Sequence, residues 1–115
     1  MAERSTRRPR CIINPRGINA WADYIAHKGV PLAVPEWGVQ NDENEWASGD
    51  PQFINQMRAA FETAAASPTG LAYEDYFDGG TGYDCKHSIN DPACHKNPEA
   101  ASRYANLFSK PYAGA

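Results

Sequence analysis

The stretch of sequence that decides the fold is VPLAVPEWGV, at residues 30–39. A short apolar run between turn residues is typical of a strand that is buried on both faces, as in a parallel sheet, and here it covers Leu32 to Glu36. A carboxylate does not belong inside such a strand, but Glu36 stands at its end. Residues at the carboxyl ends of parallel strands point into the crevice where α/β proteins keep their chemistry. We therefore predict that Glu36 is an active-site carboxylate.

A helix is predicted on each side of this strand. The preceding helix covers residues 18–28, and its large apolar residues recur at helical intervals at Ile18, Trp21 and Ile25. The following helix covers residues 50–66, because Asp50 supplies a capping side chain and Pro51 a proline at the first helical position. The buried stripe of this second helix is expected to comprise Phe53, Ile54, Met57, Phe61 and Ala64.

A second strand and a third helix follow. Residues 71–77, LAYEDYF, are aromatic and strand-like, and a long polar loop separates them from Asn97 and Pro98, which repeat the signal of a cap followed by proline. The third helix should then run to Phe108, with an apolar side made by Ala101, Tyr104, Leu107 and Phe108. Strands separated by helices pair in parallel. Because two strands cannot finish a sheet, the α/β pattern predicts a segment of a larger architecture that could self-associate through its exposed sheet edges.

Composition limits the function classes. At 115 residues, 42% of them hydrophobic, the chain can bury one modest core. A formal net charge of -3 gives no reason to expect a nucleic-acid partner. No run approaches the roughly 18 apolar residues of a membrane span, and the N-terminus lacks the apolar part of a secretory signal. Residues 1–17 are expected to form a disordered basic arm that contains Arg4, Arg7, Arg8, Arg10 and Arg16.

The loop before the third helix carries cysteine chemistry that the sequence leaves open. Cys85 and Cys94 are close enough in sequence to close a small disulfide ring in an oxidising compartment, which would leave Cys11 over. They could also remain thiols, or join His87 and His95 in a zinc site. The adjacent Cys94 and His95 would converge on one ion only with difficulty, which weighs against zinc.

The segment GVPLAVPEWGV at 29–39 resembles the seventh strand of retaining glycoside hydrolases built on the (β/α)8 barrel, most closely the endo-β-mannanases of glycoside hydrolase family 26. Residues 49–54, GDPQFI, are similar to the start of the following helix in those enzymes. Residues 73–78 are similar to their eighth strand, and residues 97–108 to their closing helix.

The resemblance implies both a fold and a function. The fold is a partial TIM barrel at residues 18–110, made of the last two strand-helix units and a preceding helix, with a tail at 111–115. In the family, the matching Glu is the catalytic nucleophile, so that role falls to Glu36. The partner acid/base, a Glu on the fourth strand, has no match in this chain. The resemblance further implies a β-1,4-mannan or related β-glycan substrate, no cofactor, no metal, and secretion.

Five aromatic residues could offer flat faces for sugar rings: Trp37, Trp46, Tyr73, Tyr76 and Tyr83. Three of them, Trp37, Trp46 and Tyr76, are the substrate-binding candidates. The candidates for a second carboxylate follow on the next strand, at Glu74, Asp75 and Asp78, although solvated charge is the competing interpretation. Two further functions stay open. One is a non-catalytic or vestigial glycan-binding module that keeps the aromatic residues without turnover. The other is a metal-stabilised interaction module built on the cysteine loop.

Overall fold

The structure, a computed structural model, describes residues 17–41 and 49–113. In chain order its elements are α1 (Ile18–His27), β1 (Leu32–Trp37), α2 (Pro51–Ala66), β2 (Leu71–Tyr76), a 3-10 turn (Thr81–Tyr83) and α3 (Pro98–Phe108). The predicted order of helices and strands is confirmed, and each boundary lies within one residue of the expected one. The predicted α/β class is therefore also confirmed.

β1 and β2 pair in parallel, as predicted, and form a two-stranded sheet. The register is interrupted between Val34 and Trp37, because β1 advances by three residues there while β2 advances by two, from Glu74 to Tyr76. This extra residue is a bulge, and it turns Trp37 to the same side of the sheet as Val34. Residues 17–41 and 49–113 contain no third strand, so a closed barrel remains a proposal.

The core lies between the sheet and the two longer helices. Ile54 and Phe61 of α2 are fully buried, and Trp37 of β1 and Ala100 of α3 meet them in one apolar cluster. The predicted stripe on α2 is confirmed: four of its five members are buried, and the fifth, Phe53, packs against the cluster while partly exposed. The amphipathic spacing of α2 therefore decides which face of the sheet is covered.

The prediction that β1 is buried on both faces is wrong. Leu32 and Trp37 are buried, but Ala33, Pro35 and Glu36 are exposed. The reason is that α2 and α3 cover one side of the sheet, and the described residues supply no layer for the other side. A two-stranded sheet covered on one face keeps a solvent-facing side.

The first helix is more exposed than its apolar spacing suggests. Trp21 is 52% exposed, and α1 has no fully buried residue. Its neighbours among the described elements are β1 and α2, which touch only part of its apolar face. The turn after α1 uses Gly29 at φ +74, a left-handed conformation that glycine adopts without steric cost.

The two cap-and-proline signals have different outcomes. Asp50 caps α2 as predicted, because its Oδ1 accepts a hydrogen bond of 2.9 Å from the amide of Gln52. Asn97 precedes α3 but makes no side-chain cap. Its buried Nδ2 instead donates to the carbonyls of Lys86 and Ser88, at 3.0 and 3.1 Å. The Asn97 side chain therefore bonds to the preceding loop, although the local sequence predicts that it caps α3.

A buried arginine fastens the C-terminal segment. Arg58 of α2 pairs with Glu62 at 3.0 Å and donates to the carbonyls of Lys110 and Pro111 at 3.1 and 2.9 Å. Its guanidinium also lies 4.1 Å from the centre of the Tyr112 ring. Residues at the junction between the proposed barrel segment and tail are therefore packed onto α2.

Candidate active site

Glu36 is held at the carboxyl end of β1, inside the bulge. Pro35 and Glu36 lie between the paired residues Val34 and Trp37, and both are exposed. Because proline has no amide hydrogen, Pro35 contributes no donor to a strand ladder. The bulge therefore leaves the Glu36 carboxylate in solvent while the next residue enters the core.

An open cavity of about 430 Å³ lies against Glu36. Its wall comes from α1, β1 and α2 and is mainly apolar, with Ile18, Trp21, Val34, Phe53 and Met57 among its lining residues. Glu36 is the one carboxylate that lines it within the part of the chain that the structure describes. A single carboxylate beside an apolar wall can act as a nucleophile or an anchor, but it provides no acid and base pair.

Trp37, a predicted sugar-stacking residue, is a core residue in the structure. It is 7% exposed, and aromatic rings from both long helices and from β2 surround it: Phe53, Phe61, Tyr76, Tyr104 and Phe108. Its Nε1 donates to Glu74 Oε2 at 3.1 Å. The ring offers no open face for a ligand, so the stacking role does not fit this position.

Tyr76 also has a structural role. Its hydroxyl donates to the carbonyl of His87 at 2.7 Å and accepts from the amide of Val39 at 3.2 Å. Burial raises the pKa of Tyr76 well above its ordinary value. The ring packs edge-on against Trp37 and is half-buried, and it also lines the cavity beside α3, so the sugar-stacking role of Tyr76 stays a prediction. Trp46, the third stacking candidate, lies outside the described residues.

The three carboxylates on and after β2 line a second open cavity, of about 740 Å³, beside α3. Burial raises the pKa of Glu74, while the hydrogen bond from Trp37 opposes this shift. Asp78 accepts from the amides of Ile89 and Asn90 at 2.6 and 3.3 Å, so it organises the following loop. Asp75 remains an exposed carboxylate in this cavity.

The two cavities do not share a carboxylate. Glu36 lines the cavity beside β1, whereas Glu74, Asp75 and Asp78 line the cavity beside β2. The structure therefore does not bring the predicted nucleophile and the candidates for a second carboxylate into one cavity. For Glu74 the sheet gives the reason, because its side chain turns toward the core and accepts from Trp37, while Glu36 stays exposed in the bulge.

Cys85 and Cys94 form a disulfide with a Cα–Cα distance of 5.4 Å. Of the three alternatives left open by the sequence, the structure has the disulfide, and Cys11 lies outside the described residues. Because both sulfurs are bonded to each other, they cannot act as the thiolate ligands that the zinc alternative needs. Within residues 17–41 and 49–113, no three His, Cys, Asp or Glu side chains group in a way that could hold a metal ion.

Sequence reasoning missed the loop that supports the end of β1. The His87 Nδ1 donates to the carbonyl of Val39 at 2.8 Å, and the amide of Asn41 donates to the carbonyl of Lys86 at 2.9 Å. The available signal was the pair of cysteines, which marks 85–94 as an ordered ring. Nothing in the local sequence says that this ring packs against residues 39–41.

Comparison of the sequence with protein-family models and with curated proteins, and of the structure with solved structures, finds no match. No helix among the described residues is long and apolar enough to cross a membrane. The fold and the site therefore define a class: a mixed α/β protein with a two-stranded parallel sheet and an exposed carboxylate at the carboxyl end of one strand.

Proposed function

We propose that this chain is the C-terminal part of a retaining (β/α)8 glycoside hydrolase, similar to the endo-β-mannanases of glycoside hydrolase family 26. Glu36 is its nucleophile, and a β-mannan or related β-glycan is its substrate. The observation that carries the proposal is the position of Glu36, exposed at the carboxyl end of a strand in a parallel βαβ unit. Active sites of barrel enzymes are built at this end of the strands.

The open sheet supports the barrel part of the proposal. Ala33 and Tyr73 are paired across the sheet and are both exposed, Tyr73 by 50%. In a complete barrel this side of each strand faces the packed interior, and further strands flank both edges. Secretion belongs to the same proposal, and the disulfide fits it because disulfides persist in oxidising compartments.

In the proposed mechanism, the Glu36 carboxylate attacks the anomeric carbon and forms a glycosyl ester, while the glycosidic oxygen leaves with a proton. Retaining enzymes place the proton donor about 5 to 5.5 Å from the nucleophile. The lining of the Glu36 cavity holds no second carboxylate among the described residues. We therefore expect the donor to come from outside the described residues and turnover of ordinary glycans to be very slow without it.

A mechanism-based label tests Glu36 as the nucleophile without needing the acid/base, which we expect to lie outside the described residues. A 2-deoxy-2-fluoro-β-mannoside with a dinitrophenolate leaving group needs no proton donor, because that leaving group is stable as an anion. Incubation should attach one fluoromannosyl group to the peptide that contains Glu36, as detected by mass spectrometry. Glu36→Gln should abolish the adduct, and Asp75→Asn, which removes another exposed strand carboxylate, should retain it. No adduct on the folded chain after prolonged incubation would contradict the proposal.

The non-catalytic glycan-binding module is the second candidate, and the exposed Tyr73 ring on the open sheet face favours it. Titration with mannohexaose, followed by NMR chemical shifts, tests binding without requiring turnover. Shifts that are lost in Tyr73→Ala but kept in Tyr24→Ala, which removes a similarly exposed ring from α1, would support this candidate. Absence of shifts in the unmodified chain would exclude binding at the concentrations used.

A further inference from the structure

The disulfide-closed ring at 85–94 is joined to the chain that leaves β1. Lys86 accepts from the amide of Asn41 at 2.9 Å, and His87 donates to the carbonyl of Val39 at 2.8 Å. The Tyr76 hydroxyl bridges the same two segments by accepting from the Val39 amide and donating to the His87 carbonyl. The turn after Glu36 is therefore held from one side by residues next to Cys85.

The other end of the ring contributes to the same support. The Asn41 side chain donates to the carbonyl of Lys96 at 2.7 Å, two residues after Cys94. The buried Asn97 side chain donates back to the carbonyl of Lys86 at 3.0 Å. Both ends of the ring thus meet at Asn41, and the disulfide is the covalent bond that keeps those two ends together.

The backbone that enters the ring is in an unusual conformation. Asp84 and Cys85 have φ values of 56 and 60, which are left-handed in two consecutive residues that are not glycine. Such residues cost free energy and persist only where the surroundings hold them. Asp tolerates this region better than Cys does, so Cys85 has the stronger tendency to leave it. Its sulfur is fixed by the bond to Cys94, and this bond is one restraint that holds the conformation.

We propose that the Cys85–Cys94 disulfide is a redox-sensitive latch on the turn that follows β1. A dithiol reduces it in two exchange steps. One thiolate of the reductant attacks a sulfur of the disulfide, which forms a mixed disulfide and releases one cysteine. The second thiolate of the reductant then attacks the reductant sulfur of the mixed disulfide and releases the other cysteine. Two electrons and two protons pass to the cysteines, which become thiols, and the reductant becomes a cyclic disulfide. Cys85 then relaxes from the left-handed region, Lys86 and His87 move with it, and the hydrogen bonds that they make with Asn41 and Val39 break.

The inference goes beyond the proposed function and does not depend on it, because it concerns the order of residues 39–41 and not the chemistry of Glu36. Its range is local. The turn touches the buried cluster through Val39 and the ring touches it through Ile89, but the largest fully buried members of the cluster, Ile54 and Phe61, lie on α2. No residue of that helix is hydrogen-bonded to the ring by the contacts described above. Reduction should therefore loosen one turn and leave the core in place.

The test is amide hydrogen exchange measured by NMR on the full chain, before and after reduction with dithiothreitol. Exchange at Val39 and Asn41 should become at least about tenfold faster, while the amides of Met57 and Phe61 should change by less than about twofold. Mass spectrometry checks that two hydrogens have been added. The double variant Cys85→Ala/Cys94→Ala should show the fast exchange of the reduced chain both with and without dithiothreitol. Cys11→Ser should show the same acceleration on reduction as the unmodified chain.

Two outcomes would overturn the latch. In the first, a fully reduced chain retains the slow exchange of Val39 and Asn41. In the second, Met57 and Phe61 accelerate by the same factor as the turn, in which case the disulfide holds the whole fold and is not a local device.

Discussion

Trp37 brings a large apolar ring and one hydrogen-bond donor into the same core. The ring centre lies 5.0 Å from that of Tyr76 and 5.4 Å from those of Phe61 and Phe108, so strand and helices share it. Aromatic pairs contribute about 0.5 to 1.5 kcal/mol each beyond their buried area. The indole donor needs a partner when it is buried, and Glu74 supplies one. The position of Trp37 thus brings a carboxylate to the edge of the core.

The electrostatic consequence is a pH-dependent stability that can be assigned to Glu74. Burial raises its pKa in the folded chain, so the folded state keeps the proton to a higher pH than the unfolded state does. The protonated Glu74 carboxyl therefore contributes its full stability below the pKa of the unfolded chain, near 4.3, and this stability is lost as the pH rises through the pKa of the folded chain. Glu74→Gln cannot ionise. We expect its stability relative to the unmodified chain to increase as pH rises from about 4 to 7.

Urea unfolding of both chains at several pH values measures this difference. Glu74→Asp keeps a titratable carboxyl group at the same position and should keep the pH-dependent loss. If the stability difference between Glu74→Gln and the unmodified chain is the same at every pH, the carboxyl of Glu74 is not the group that titrates.

Among the elements, the helices could be predicted from the sequence because their signals are local. The apolar spacing of α2 and the Asp50 cap act within a few residues, and both are found as expected. The side of the sheet taken by Trp37 could not be predicted in this way. Strict alternation would separate Trp37 from Val34, but the bulge places them together, and a bulge depends on the register with β2. The location of Glu36 at the strand end needed only local signals, while the surroundings of Trp37 and Tyr76 needed the whole fold.

Asn97 gives an element-scale prediction that distinguishes a cap from a loop anchor. Asp is as good a capping residue as Asn, but its carboxylate has no N–H groups for the carbonyls of Lys86 and Ser88. Asn97→Asp should therefore destabilise the chain by about 1 to 3 kcal/mol, because buried acceptors lose their donor and a charge is buried. Thermal and urea unfolding measure the change.

The matched control is Asp50→Asn at the start of α2. Asn keeps a side-chain oxygen for the amide of Gln52, so the cost should stay within about 0.5 kcal/mol. Equal and small effects at both positions would mean that Asn97 acts as an ordinary cap and that its loop contacts add little.

At the scale of the whole molecule, the described chain has a covered face and an open face. Its two strands are both edge strands, and exposed residues such as Ala33 and Tyr73 lie on them. Unpaired strand edges are templates for pairing with another chain. The cavity beside β1 adds apolar surface at one edge, where Trp21 is half exposed. A chain of this shape fits the proposed barrel fragment, since the missing neighbours of a fragment leave unpaired edges of this kind.

The open edges predict self-association of the isolated chain. Sedimentation equilibrium should give a mass that rises above the 12.6 kDa of one chain as concentration increases from micromolar toward millimolar. Ala33→Lys places a charge on the exposed side of β1, as natural edge strands often do, and should raise the dissociation constant at least about tenfold, equivalent to about 1.4 kcal/mol. Ala59→Lys adds the same charge to an exposed position on α2 and should leave association nearly unchanged. A mass that stays at one chain over the whole range would mean that the sheet edges are already protected, which would remove the strongest physical reason to treat the chain as part of a larger barrel.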